Sequence, residues 1–258
     1  FDFWVEGRIV SFRDNRNRAD LDGQFGVLYV GADYVVSPWL LIGALVQYDH
    51  MELTSNSQSS EISGHGWMAG PYATLRLHDN VYFQARAAWG RSDNEVSPYM
   101  TYTDKFGSER WLVRGTLIGD WQRGPLSFRP SATVAYIEDE TDSYTDSLNV
   151  TIPKVRSSLG QVKAGPEFAY RLDMPDGSTL EPRVAVHGIW TFADETRVNW
   201  GDDELDGPDG PRARVEVGFR AASPHTNMTL DVEGSYDGIG TGSYRAFSGR
   251  VELRIPLN

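Results

Sequence analysis

The sequence predicts an all-β protein: a transmembrane, antiparallel, up-and-down β-barrel of about twelve strands that takes up the whole chain, 1–258. Three observations point there. Apolar and polar residues alternate with period two in segment after segment, the mark of strands with two unlike faces. The connections alternate between short turns and longer polar loops, the pattern of outer-membrane barrels. A helical span needs roughly 18 consecutive apolar residues, and the longest apolar run, Trp39–Val46, falls far short of that. The closed barrel is the other architecture that satisfies its backbone inside lipid.

The elements read in order as follows. Over roughly 2–13, Phe3, Val5 and Ile9 alternate with Trp4, Glu6 and Arg8. Strands at roughly 23–36, 39–51 and 62–77 come next, the last with Trp67 and Tyr72 on opposite faces. From Val81, the apolar Phe83, Ala85, Ala87 and Trp89 are interleaved with Gln84 and Arg86. Val113, Leu117 and Trp121 then alternate with Arg114, Thr116 and Asp120. Leu126, Phe128, Ala132, Val134 and Tyr136 alternate with Ser127, Arg129, Ser131 and Thr133.

The second half repeats the pattern. Val162, Ala164, Phe168 and Tyr170 oppose Lys163, Glu167 and Arg171. Leu180, Val184, Val186 and Trp190 oppose Glu181, Arg183 and His187. Val215, Val217 and Phe219 oppose Arg214, Glu216 and Arg220. Leu230, Val232 and Tyr236 oppose Asp231, Glu233 and Asp237. Val251, Leu253 and Ile255 oppose Arg250, Glu252 and Arg254. Pro130, Pro166 and Pro182 donate nothing to a ladder, so they belong near strand ends.

Short turns fall at Ser37–Pro38, His78–Asn80, Gln122–Pro125, Asp173–Ser178 and Ser223–Asn227. The loops cover about 14–22, 52–61, 91–109, 138–156, 193–210 and 238–243. Five turns and six loops join twelve strands and put both termini on the turn side.

Alternation alone fits a soluble sandwich with its apolar face inward, or a membrane barrel with its apolar face outward. Aromatic residues decide between them. On the apolar face they collect near strand ends: Trp39, Trp121, Phe128, Tyr170 and Phe219 toward the turns, and Trp89, Tyr136, Trp190 and Tyr236 toward the loops. Two such girdles mark the two membrane interfaces. The same face is rich in alanine, which lipid tolerates and a close-packed core uses sparingly. The polar face mixes both signs of charge, a set able to pair across a lumen.

That face supplies the candidate site. Its charges are Glu6, Arg8, Arg86, Arg114, Asp120, Lys163, Glu167, Arg171, Glu181, Arg183, Arg214, Glu216, Arg220, Asp231, Glu233, Arg250, Glu252 and Arg254. They are expected to line the lumen, keep it wet, and pair with one another or with a chain inside it.

The net charge of -12 disfavours nucleic acid, whose phosphates need a basic surface. There is no cysteine, which argues against disulfides and thiolate metal sites. No signal peptide opens the sequence; Phe1-Asp2-Phe3-Trp4 enters a strand at once, as expected of a mature or excised fragment.

An ordered set of segments resembles the autotransporter β-barrel family, the translocator of type V secretion. Trp4-Val5-Glu6-Gly7 resembles its first strand, and Val30-Gly31-Ala32-Asp33-Tyr34 with Ser37-Pro38 its second strand and first turn. Pro130–Tyr136, Asp142–Ser147, Gly165-Pro166-Glu167 and Leu180-Glu181-Pro182 are similar to its central strands. The resemblance implies a barrel inserted by the outer-membrane assembly machinery of a Gram-negative bacterium, surrounded by lipid and lipopolysaccharide. It also implies a passenger in cis, anchored at the cell surface through a linker helix that threads the lumen and is not part of this chain. The alternative is a stand-alone channel or structural barrel. The end, Ile255-Pro256-Leu257-Asn258, lacks the terminal aromatic common in outer-membrane proteins.

No cofactor, metal or catalytic set is expected. His50, His65, His78, His187 and His225 are scattered, with no nucleophile elbow or paired-histidine motif. Gly201–Gly207 partly imitates a calcium loop, but Ala213 stands where a bidentate glutamate belongs. Gly238–Gly242 is a tight turn with no helix after it to make a phosphate cradle.

Overall fold

A computed structural model describes residues 1–15, 20–198 and 211–256. Twelve long strands form the wall: β1 Asp2–Asp14, β2 Leu21–Ser37, β3 Leu40–Ser55, β4 Ser60–His78, β5 Val81–Ser97 and β6 Asp104–Gly119. The remaining six are β7 Leu126–Thr141, β8 Val155–Tyr170, β9 Thr179–Val198, β10 Arg212–Ala222, β11 Thr229–Ile239 and β12 Tyr244–Pro256. Each pairs antiparallel with its neighbours in sequence, and β12 closes on β1 from Asp2↔Pro256 to Asp14↔Tyr244. Closure leaves no unpaired edge, which is what a sheet in lipid requires. Short pairings at Trp121–Arg123 and Leu172–Asp173 extend the wall, and Tyr144–Thr145 pairs with Thr151–Ile152 in a small hairpin above it.

The stagger of the ladder sets the shape. The row of paired residues through Arg8 reaches Thr141 on β7 one way round and Ser127 the other, an offset of 14 residues, 127 to 141. For twelve strands that corresponds to a tilt of roughly 40°. At about 4.8 Å between strands, the wall is then roughly 24 Å across between backbones.

The strand phase is the one the alternation predicts. Val113, Leu117, Val134, Val184, Val217 and Val251 are exposed on the outer surface, the side offered to lipid. Ala44, Pro71, Ala73, Ala85, Ala87 and Gly115 leave a shallow apolar groove in that wall. Pro130 and Pro166 face each other across β7 and β8, and Pro182 opens β9 near the same end. Placing two residues without N–H opposite each other confines the lost donors to one rung near the turns.

The loops are shorter than the sequence suggests. The stretches 52–61, 91–109 and 138–156 are largely strand: β5 continues from Trp89 to Ser97, and β6 starts at Asp104. In these stretches both faces are polar, so hydrophobic alternation fades while the hydrogen-bonded ladder goes on. The outward side carries cross-strand ion pairs instead of apolar residues: Arg91–Glu109 at 2.6 Å, Lys105–Glu95 at 2.7 Å and Arg156–Glu140 at 2.6 Å. The barrel therefore rises beyond its apolar band.

Candidate functional site

Inward residues from most of the strands hold one another in a nearly continuous ion-pair chain around the turn end. Arg129 bonds Glu181 at 2.7 Å and approaches Asp120 and Glu167 at 3.3 Å. Arg183 lies 3.6 Å from Glu167, grips Asp231 with both terminal nitrogens at 2.6 and 2.7 Å, and reaches Glu233 at 3.0 Å. Arg220 adds a bond to Asp231 at 3.2 Å. Arg250 bridges Asp231, Glu233 and Glu6 at 3.0, 3.1 and 3.4 Å, with Glu252 at 3.5 Å. Arg254 continues to Asp33 at 3.1 Å.

The chain ends in a neutral relay. Tyr72 Oη donates to Asp33 at 2.7 Å and accepts from Trp4 Nε1 at 2.7 Å. Both rings lie over glycines: a Cβ on Gly43 would stand 2.3 Å from the Tyr72 ring, and one on Gly31 2.4 Å from Trp4. Only glycine lets an aromatic side chain lie that close to the neighbouring strand.

Higher in the lumen the pairs are separate. Arg110 forks onto Asp49 at 2.9 and 3.1 Å. Arg212 and Arg214 share Asp237, at 3.0 and 2.6 Å. Lys163 meets Glu216 at 3.0 Å, and the buried His187 lies between Glu216 and Ser131, 3.4 Å from each. Two interior cavities, of about 490 and 400 Å³, run between these walls.

Of the lumen residues expected from the sequence, the structure brings all but one into this system or onto the cavity walls. The exception is Arg171. The strand ends at Tyr170, so Arg171 sits at the turn rim, half exposed, with Asp173 at 2.8 Å. Alternation misses Arg110 and Asp49, because Arg110 opens in a stretch that reads poorly as strand, and it leaves Asp33 and Tyr72 without a role. Their position in the strand phase is the signal that marks them, once the ladder is extended.

The aromatic rings project outward in two belts. Trp39, Trp121, Phe128 and Tyr170 are exposed at the turn end, with Phe219 half-buried beside them; Trp89 and Trp190 are exposed toward the loops, with Tyr136 and Tyr236 half-buried. Contacts knit the belts together: Trp121–Phe128 at 6.1 Å and Phe128–Phe168 at 5.3 Å below, Trp67–Trp89 at 5.6 Å, Trp111–Tyr136 at 5.1 Å and Tyr236–Phe247 at 4.9 Å above. Trp67, Trp111 and Phe247 join the upper belt unannounced by the sequence reading. The acidic stretch Gly201–Gly207 lies outside the described residues, as does Leu257-Asn258.

An apolar wall, two aromatic girdles and a lumen of paired charges define an outer-membrane β-barrel. The family model for the autotransporter beta-domain matches residues 3–237, and the chain belongs to that family. Its fold is similar to that of the β domain of the Bordetella autotransporter Brka, with a TM-score of 0.78 and 15% identity over 99% of this chain and 98% of that one. It is also similar to the transport unit of AIDA-I from Escherichia coli (TM-score 0.78, 12% identity, 99% and 90% covered). The translocator domain of NalP from Neisseria meningitidis matches at 0.76 and 12% identity, with 99% and 88% covered. A search of curated protein sequences returned no match.

Proposed function

We propose that this barrel translocates a passenger and anchors it at the surface of a Gram-negative outer membrane, with a linker helix in its lumen. Family membership carries the reading. The geometry supports it: a wall roughly 24 Å across admits one helix, roughly 10–12 Å in diameter, between the inward side chains. Phe1 lies at the turn end of β1, so a segment joined to it enters the lumen from the periplasmic mouth. Lipid and lipopolysaccharide meet the outer face, and the outer-membrane assembly machinery inserts the chain. The reading is non-enzymatic, with the lumen charges serving to pair with one another and with the threaded segment.

A second reading, a standing channel without a passenger, is favoured by the two interior cavities. The experiment that separates the two joins a helical linker and an epitope-tagged reporter ahead of Phe1. On intact cells, the translocator reading expects the tag to be cut by external protease. A heat-resistant, membrane-inserted barrel whose tag stays protected would overturn it.

A further inference from the structure

Five cations cluster at one height in the lumen. Rows of paired residues climb toward the loops by 14 residues per circuit of twelve strands, 127 to 141 on β7. Allowing for that climb, Arg8, Arg114, Lys163 and Arg214 stand within about one residue of a common level, and Arg86 about one residue below. Lys163 and Arg214 are answered by Glu216 and Asp237. The other three are not. Arg86 bonds only the neutral Gln47, at 3.0 Å, and lies over the Tyr29 ring at 5.1 Å. Among the described residues, the side chains of Arg8 and Arg114 form no hydrogen bond or ion pair. Arg86 and Arg114 are moreover directly opposite each other in register, both facing inward. Like charges so placed disfavour the pairing, so the fold carries this arrangement at a cost. Arg114 lines both interior cavities, and each cavity takes one more of the three: Arg8 in one, Arg86 in the other.

We infer that Arg8, Arg86 and Arg114 form an anion-selecting belt in the lumen, a site for a chloride, phosphate or carboxylate passing through or lodged there. Rings of arginine and lysine give pores a preference for anions, and low-dielectric walls focus their field. The inference runs against the overall charge. At -12 the chain as a whole should draw cations into its pore. Most carboxylates of the lumen, however, are held by basic partners other than these three: Asp231 and Glu233 by Arg183 and Arg250, Asp33 by Arg254, Asp49 by Arg110, Asp237 by Arg212 and Arg214, and Glu216 by Lys163. The belt acts whether or not a passenger is attached.

The test is the reversal potential of the 1–258 chain in planar bilayers under a KCl gradient. At about 0.1 M salt the expected anion-over-cation permeability ratio is roughly 3 or more, falling toward one near 1 M as the screening length drops to about 3 Å. R8Q/R114Q should bring the low-salt ratio to about one, and R8E/R114E should invert it. Neither arginine makes an ion pair, so the glutamine variant should keep the heat-resistant fold. Arg91→Gln, on the outer face, should leave the ratio unchanged. A cation-selective, unselective or non-conducting wild-type barrel overturns the inference. So does anion selectivity that survives R8Q/R114Q.

Discussion

Arg183 and Arg171 look alike in local sequence terms, each an arginine in an alternating segment, 183 and 171. Their surroundings separate them. The Arg183 side chain is 6% exposed and holds Asp231, itself 6% exposed; Arg171 is 50% exposed. Removing one partner of a buried pair typically costs 3–5 kcal/mol, so Arg183→Ala should destabilise the barrel by about that much. Arg171→Ala should fall within about 0.5 kcal/mol of wild type. Unfolding in detergent by urea titration reads both, and equal effects would refute the distinction. A second residue-scale outcome concerns the turn after β8. There Asp176 accepts from the Ser178 hydroxyl and amide, at 2.5 and 3.0 Å, which holds its carboxyl below the usual aspartate range. A lowered folded value means the cap is intact above the unfolded value and is lost as pH falls through the folded one. NMR titration of Asp176 in micelles should give a midpoint below that of an unstructured peptide, and Ser178→Ala should raise it.

At the scale of the strand, the sequence made the membrane-embedded part legible and the projecting part illegible. Within the bilayer one face must be apolar, so Ala85, Ala87, Trp89 and their polar neighbours announce β5. Above it, Arg91, Asp93 and Glu95 are outward residues in the same ladder, but no hydrophobic signal distinguishes them from a loop. Arg110–Asp49 was hidden for the same reason. The turns were legible because they lie at the abrupt end of an apolar band, as at Ser37–Pro38. This gives an expected labelling pattern. Single cysteines at Asp93 and Glu95 should react with a membrane-impermeant maleimide on intact cells, and cysteines at Ala85 and Ala87 should not. Amide hydrogen exchange should be slow at Ser92 and Asn94 although they stand beyond the apolar band, because the ladder with β6 persists. Fast exchange there would restore the long loop that the sequence suggests.

For the molecule as a whole, closure is the property on which the rest depends. β12 pairs with β1 along its full length and with β11 on the other side, so deleting it opens the wall and exposes two edges in lipid. A chain ending at Ser243 should lose the heat-dependent shift on a denaturing gel, whereas R8Q/R114Q should retain it. The lumen network has the same global character: from Asp120 round to Asp33 its members come from nine of the twelve strands or their ends, so it forms only when the ring is complete. The projecting strands carry a mechanical consequence. About seven residues of tilted strand beyond the upper girdle raise the rim by roughly 15–20 Å. Under the proposed function, a passenger would be released from the top of a chimney of paired strands, clear of the bilayer surface, and not at the level of the apolar band.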